Sequence, residues 1–204
     1  MSIRKSLYTL PNRSVPDVRE KRNAWTKNMS ECDIKNLVFL DESGVNTNMT
    51  RLYALALGGE RAVDSAPVNT PTGTTILSSI RVNGATAYTT YSGGTTAEKF
   101  AEYLTSTLIP TLDKNSIVVM DNMRSHHAKD VKAILDQFGI HYLYLPPYSP
   151  DLNPIEKLWS KIKAFLRKEK VRIAEELPAA IERAFSTISV SDCEGWFRAS
   201  GYMY

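Results

Sequence analysis

Leu37-Val38-Phe39-Leu40-Asp41 and Ile117-Val118-Val119-Met120-Asp121 are the two stretches whose reading decides the fold. Each is apolar at every position and then ends in an aspartate. A strand with one wet face alternates apolar and polar residues, so an unbroken apolar run predicts a central strand covered on both faces. An acid at the end of such a strand lies at the rim of the sheet, where open α/β sheets place their ligands. Neighbouring strands are about 4.8 Å apart, which lets two such ends share a site. Two close carboxylates repel, and both stay ionised when a cation lies between them. Asp41 and Asp121 are therefore candidate ligands of a hard divalent cation.

Outward from these runs, Thr74 to Val82 and Ala85 to Tyr91 read as strands, with Asn83-Gly84 between them predicting a type I′ hairpin. Glu60 to Val63 reads as a further short strand, and Asn46 to Leu57 fits no single class. Thr96 caps an expected helix running to Leu108, and Pro110 stops it. A second helix is expected from His127 to Phe138, closed by Gly139, and a short strand from Tyr142 to Leu145. The rigid segment Pro146-Pro147-Tyr148-Ser149-Pro150 leads to a helix over 154–168, with more helix beyond. The order predicts an α/β fold, a mixed sheet with helices on its faces.

The helix over 154–168 carries an apolar stripe of Ile155, Leu158, Trp159, Ile162, Phe165 and Leu166. Asn153 stands at its N-cap, Pro154 at the first helical position and Glu156 at the acceptor position of a capping box. Glu156 has two readings, a cap for its own helix or a third acid of the site. The helix dipole keeps it ionised in either case. Glu156, Ser160, Lys163, Arg167 and Lys170 line one flank by the three-and-four rule. With Lys157 and Lys161 they suggest a basic surface for a phosphate backbone, against the alternative of a solvated, ion-paired flank. Asn122 and His126 follow Asp121 closely and are candidate supporting residues, as is Asn153. Glu42 alternates to the opposite side of its strand from Asp41 and reads as a surface acid.

The chain has 204 residues, 43% of them hydrophobic and 23% charged, which suits one globular domain with an appended arm. Net charge is only +3, but base is concentrated in residues 1–30 and 157–172, a distribution suited to a polyanion. Residues 1–34 read as a basic arm or linker and residues 35–204 as the catalytic domain with a helical tail. Cys32 and Cys193 form neither a disulfide framework nor a zinc spacing, and His126 and His127 lack further zinc ligands. There is no signal peptide and no membrane-spanning apolar stretch, so a cytoplasmic protein with no membrane partner is expected. Gly58-Gly59 and Gly93-Gly94 lack the P-loop lysine, and no Gly-x-Ser-x-Gly elbow is present. Oxygen ligands alone suit Mg²⁺ or Mn²⁺, and two such ions suit in-line phosphoryl displacement.

Three segments together resemble the DDE transposases of the mariner-like superfamily, most closely its bacterial insertion-sequence branch. They are Phe39-Leu40-Asp41-Glu42-Ser43-Gly44, Val119-Met120-Asp121-Asn122 with His126, and Leu145-Pro146-Pro147-Tyr148-Ser149-Pro150-Asp151-Leu152-Asn153-Pro154-Ile155-Glu156 with Trp159. The resemblance implies an RNase H-like fold, a mixed five-stranded sheet flanked by helices. It implies that Asp41, Asp121 and Glu156 bind two Mg²⁺ or Mn²⁺ ions. It also implies cut-and-paste transposition: cleavage at transposon ends, then attack of the freed 3′-hydroxyl on target DNA, usually at TA. Expected partners are transposon-end and target DNA and a second copy of the chain, in the bacterial cytoplasm and associated with the nucleoid when active. Members usually carry paired helix-turn-helix domains ahead of the catalytic domain, and the residues before Leu37 are too few for them. The expectation is a catalytic fragment, or a reading frame whose N-terminal DNA-binding part is separately encoded. An RNase H-like nuclease or resolvase without strand transfer, or an inactive transposase-derived DNA-binding module, are the alternatives.

Overall fold

A computed structural model describes residues 16–50, 58, 60, 61, 63, 65 and 73–202. Its centre is a five-stranded sheet: β1 (Leu37–Asn46), β2 (Gly73–Ile80), β3 (Thr86–Ser92), β4 (Ile117–Met120) and β5 (His141–Tyr144). The order across the sheet is β3-β2-β1-β4-β5. β1, β2 and β3 pair antiparallel, while β1–β4 and β4–β5 pair parallel, so the sheet is mixed.

The two apolar runs lie at the centre because helices cover both faces. Strand alternation sends Leu37 and Phe39 to one side and Val38 and Leu40 to the other, and all four are at most 1% exposed. The Phe39 side packs against α1 (Pro16–Met29), α4 (Ile155–Glu169), α5 (Leu177–Ser186) and α6 (Val190–Ala199). The Val38 side packs against α2 (Ala97–Tyr103), its π-helical continuation Leu104–Leu108, and α3 (Lys129–Gln137). Thr96 caps α2 as expected, its side chain accepting from Lys99 N. Gly139, at φ 65°, closes the turn after α3.

Several boundaries differ from expectation. β1 does not stop at Asp41; it continues to Asn46, because β2 pairs with it from Phe39↔Ile80 to Asn46↔Gly73. Its parallel partner β4 pairs only as far as Phe39↔Val119. Asp41 is therefore mid-strand on the β2 side and at the rim on the β4 side. The β2–β3 connection is a turn over 81–85, with Gly84 N donating to Arg81 O and only Gly84 at positive φ. A type I′ turn needs two positive φ angles, and Asn83 does not supply one. The strand expected over 60–63 is absent at Glu60, Arg61 and Val63, and residue 62 lies outside the described residues, as do most of 46–57.

Residues 16–29 form a helix that joins the core, not a detached arm. Trp25 and Met29 are buried in the main cluster, and Trp25 Nε1 donates to the Tyr202 hydroxyl at 3.0 Å. No described helix is long and apolar enough to cross a membrane.

Candidate active site

Three carboxylates from three elements line one cleft of about 370 Å³. Asp41 comes from the middle of β1, Asp121 from the residue after β4, and Glu156 from the first turn of α4. Asp41 is the most enclosed, at 9% exposure. One of its oxygens accepts from Glu42 N at 2.8 Å and the other from Trp159 Nε1 at 3.2 Å. Burial pushes the Asp41 carboxyl up to about 7, against the pull of the Glu42 N–H; Asp121, Glu156 and Glu42 push it in the same direction as burial.

Asp121 is shifted the other way. Burial would raise it, but His126 and the Met123 N–H hold it below the usual carboxylate range. His126 Nδ1 is 2.8 Å from Asp121 Oδ1, and Met123 N donates to the same oxygen at 2.9 Å. Burial would lower His126, yet its bonds to Asp121 and Glu42 outweigh burial and raise it to about 9. Glu156 stands at the exposed lip of the cleft. Burial and Asp121 push its carboxyl up, and Lys163 and Lys157 partly offset them.

The capping reading of Glu156 does not hold. Pro154 occupies the N-cap in helical conformation, and no side chain caps α4. Asn153 is buried at 2% exposure, lines the cleft, and leaves its Oδ1 without a hydrogen-bond partner. The helix starts one residue later than proline-at-first-position predicts, so Glu156 is left to the cleft. The reading of Glu42 as a surface acid also fails. Its side chain is only 11% exposed, and Oε2 lies 3.2 Å from His126 Nε2. Alternation did turn it away from Asp41, but that face is covered by α2 and by the turn carrying His126. The apolar pattern of the same strand already signalled that cover.

Asn122 positions the loop wall, donating from Nδ2 to Leu145 O, while its Oδ1 faces His127 Nε2 at 3.3 Å. The wall, Pro146 to Asn153, is held from outside by α1. The Arg22 guanidinium makes two bonds to Asp151, at 3.2 and 2.7 Å, and one to Ser149 Oγ at 2.5 Å. The Tyr202 hydroxyl, which receives Trp25 Nε1, donates to Leu152 O at 2.7 Å. The sequence gives no sign of this link, since Arg22 and Asp151 are far apart along the chain. Of the basic residues on α4, Lys157 donates to Ser200 Oγ at 2.8 Å, and Lys161 to Thr187 O at 2.8 Å and Asp192 at 2.6 Å. Those two ammonium groups tie α4 to the C-terminal helices. Lys163 and Arg167 are half-buried on the flank, and Lys170, at φ 53°, ends the helix.

The donor set fits a hard cation in its chemistry: three carboxylates, no sulfur, and one buried carboxyl whose ionisation its neighbours oppose. Among the described residues no group of three acids, histidines or cysteines is drawn close enough to enclose an ion as placed.

The mixed sheet with this strand order, carrying acids on β1, after β4 and at the start of α4, defines an RNase H-like domain. The profile of the DDE superfamily endonucleases matches residues 36–178, well over half of the chain, and the chain belongs to that family. No curated protein sequence matches it. Among solved structures it is similar to the Mos1 mariner paired end complex with Mn, at TM-score 0.79 and 20% identity, covering 98% of this chain and 64% of that one. It is similar to the Mos1 strand transfer complex at TM-score 0.78 and 18% identity, covering 98% and 62%. The catalytic domain of Mos1 mariner transposase aligns at TM-score 0.68 and 17% identity, over 95% of this chain and 89% of that one. The chain thus spans less than two thirds of the longer Mos1 chains. At these identities the likeness concerns the fold.

Proposed function

We propose that this chain is the catalytic part of a DNA transposase, of the bacterial insertion-sequence branch of the mariner-like superfamily. The observation that carries this reading is the convergence of Asp41, Asp121 and Glu156 on one cleft, with Asp41 pushed up to about 7 by burial and, after it, by its acidic neighbours. The cleft is open and flanked by the base of α4, as a phosphodiester strand requires. Membership of an endonuclease family and a fold shared with Mos1 complexes support the same reading.

The three acids would hold Mg²⁺ or Mn²⁺, two ions in our reading. When bound, divalent cations activate the attacking oxygen and stabilise the leaving one. The chain's own residues supply the frame. Trp159 and the Glu42 N–H orient Asp41, His126 and the Met123 N–H orient Asp121, and the loop held by Arg22 sets where α4 and Glu156 begin. Lys163 and Arg167 contact the phosphate backbone, joined by Lys170, while Lys157 and Lys161 contribute to the field around the strand. The chemistry is strand cleavage followed by 3′-hydroxyl strand transfer, cut-and-paste at TA. A second copy of the chain and a DNA-binding part complete the active complex in the bacterial cytoplasm. The basic residues ahead of α1 serve as the link to that part, whereas α1 itself belongs to the core.

Incubation with pre-cleaved transposon ends, a supercoiled plasmid and Mn²⁺ tests the reading. Joined product supports transposition. Nicks without joining would replace it with a plain RNase H-like nuclease, and neither product would leave a DNA-binding module. Asp121→Asn abolishes product while metal-free duplex binding persists; full activity in that variant would refute the site.

A further inference from the structure

Glu42 belongs to the face of β1 opposite Asp41, yet it reaches the same cleft through His126. Glu42 Oε2 is 3.2 Å from Nε2 of the ring, and Asp121 Oδ1 is 2.8 Å from Nδ1. Both ring nitrogens therefore face carboxylate oxygens. The ring has no room to turn. It is fully buried, Phe100 covers it at 4.4 Å, and the Tyr144 hydroxyl donates to the His126 carbonyl at 2.9 Å. Glu42 Oε1 is buried with no hydrogen-bond partner. A half-satisfied buried carboxylate costs stability, so folding alone does not account for an acid at this position.

We propose that Glu42 and His126 are positioning residues for Asp121. They commit its Oδ1 to the imidazole and to the Met123 N–H, so that Oδ2 is the oxygen left to a divalent cation. The chain carboxylate–imidazole–carboxylate runs from the far face of the sheet to the cleft. It works as outer-shell partners of metal ligands do, by fixing the orientation and basicity of the ligand itself. The inference rests on the three-acid cation site proposed above.

The test is Mn²⁺ binding to the full chain without DNA. Calorimetry measures it, and so does tryptophan fluorescence, because Trp159 donates to Asp41. Glu42→Gln keeps the shape and an acceptor toward His126 but removes the charge. Loss of an outer-shell partner typically weakens metal affinity about 10–100-fold, and a weakening of about 10-fold or more is expected here. Metal-free binding of a DNA duplex and the circular dichroism spectrum stay as in the wild type. His126→Asn is expected to behave likewise; should it fail to fold, Glu42→Gln decides alone. A merely structural Glu42 would change the melting temperature and leave Mn²⁺ affinity untouched, and that result overturns the inference. A wild-type chain that binds no Mn²⁺ would overturn the cation site itself. Tight wild-type binding with an unaffected Glu42→Gln would overturn only the role given to Glu42 and His126.

Discussion

Arg22→Ala releases the wall of the cleft from α1, and its cost follows from the geometry. The guanidinium makes two bonds to Asp151, at 3.2 and 2.7 Å, and one to Ser149 Oγ. The side chains are 21% and 46% exposed, so solvent screens the pair in part. Exposed pairs contribute about 0.2–1 kcal/mol, and a bidentate fork with one partner mostly covered belongs at the top, about 1 kcal/mol. The bond to Ser149 adds about 1 kcal/mol. Arg22→Ala should therefore cost about 2 kcal/mol in urea unfolding, a fall of about 4–8 °C in melting temperature for a chain of this size. Asp151→Ala costs about 1 kcal/mol, and the double variant less than the sum by a coupling of about 1 kcal/mol. Turnover in the proposed reaction should fall more than DNA affinity, because the loop carries Asn153 and leads into Glu156. A coupling indistinguishable from zero, with turnover unchanged, would refute the claim that α1 holds the cleft wall.

Other expectations separate the remaining parts. Lys163→Ala and Arg167→Ala each lower the salt dependence of DNA binding by about one phosphate contact, whereas Lys161→Ala lowers the melting temperature instead, because its ammonium is spent on Thr187 and Asp192. Asp192 caps α6 in a capping box and is held down to about 2 from 3.8 by Lys161 and Ser189. Its contribution is thus complete above pH 3.8 and lost as pH falls toward 2, and Asp192→Asn should flatten acid unfolding over that window. Asp41→Asn removes a carboxylate whose ionisation is opposed first by burial and then by its acidic neighbours, so it should raise the melting temperature of the metal-free protein at pH 8 and abolish stabilisation by Mn²⁺ in a thermal-shift assay. Trp159→Phe removes the donor to Asp41 and part of a buried ring, so turnover should drop further than an unfolding cost of about 1–2 kcal/mol accounts for.

What could be read from sequence was what local pattern encodes. The apolar runs at 37–40 and 117–120 located the central strands, because cover on both faces forces every side chain to be apolar. The stripe from Ile155 to Leu166 located α4 for the same reason. Boundaries were less legible where the partner, not the segment, sets them. β1 continues through Glu42, Ser43 and Gly44 because β2 pairs with it, and nothing in those residues is strongly strand-forming. Asn83-Gly84 has the composition of a tight hairpin, but the five-residue turn satisfies Arg81, Asn83 and Ala85 without it. At the site, Asp41, Asp121 and Glu156 stood out as acids in conspicuous places. Glu42 and Arg22 did not, since their importance depends on His126 and Asp151, which the fold brings to them from distant parts of the chain.

The adjacency of Asp41 and Glu42 makes the frame of β1 unforgiving. Neighbouring positions on a strand point to opposite faces, so a slip of one residue exchanges every side chain between them. Such a slip would still turn an acid toward the cleft, with Glu42 in place of Asp41. It would equally turn an aspartate toward His126, one methylene too short to meet it. A deletion or insertion of one residue in β1 would thus leave the charge count of the site intact and its geometry ruined. Length-preserving substitutions along the strand can be absorbed by repacking, but a change of length there cannot.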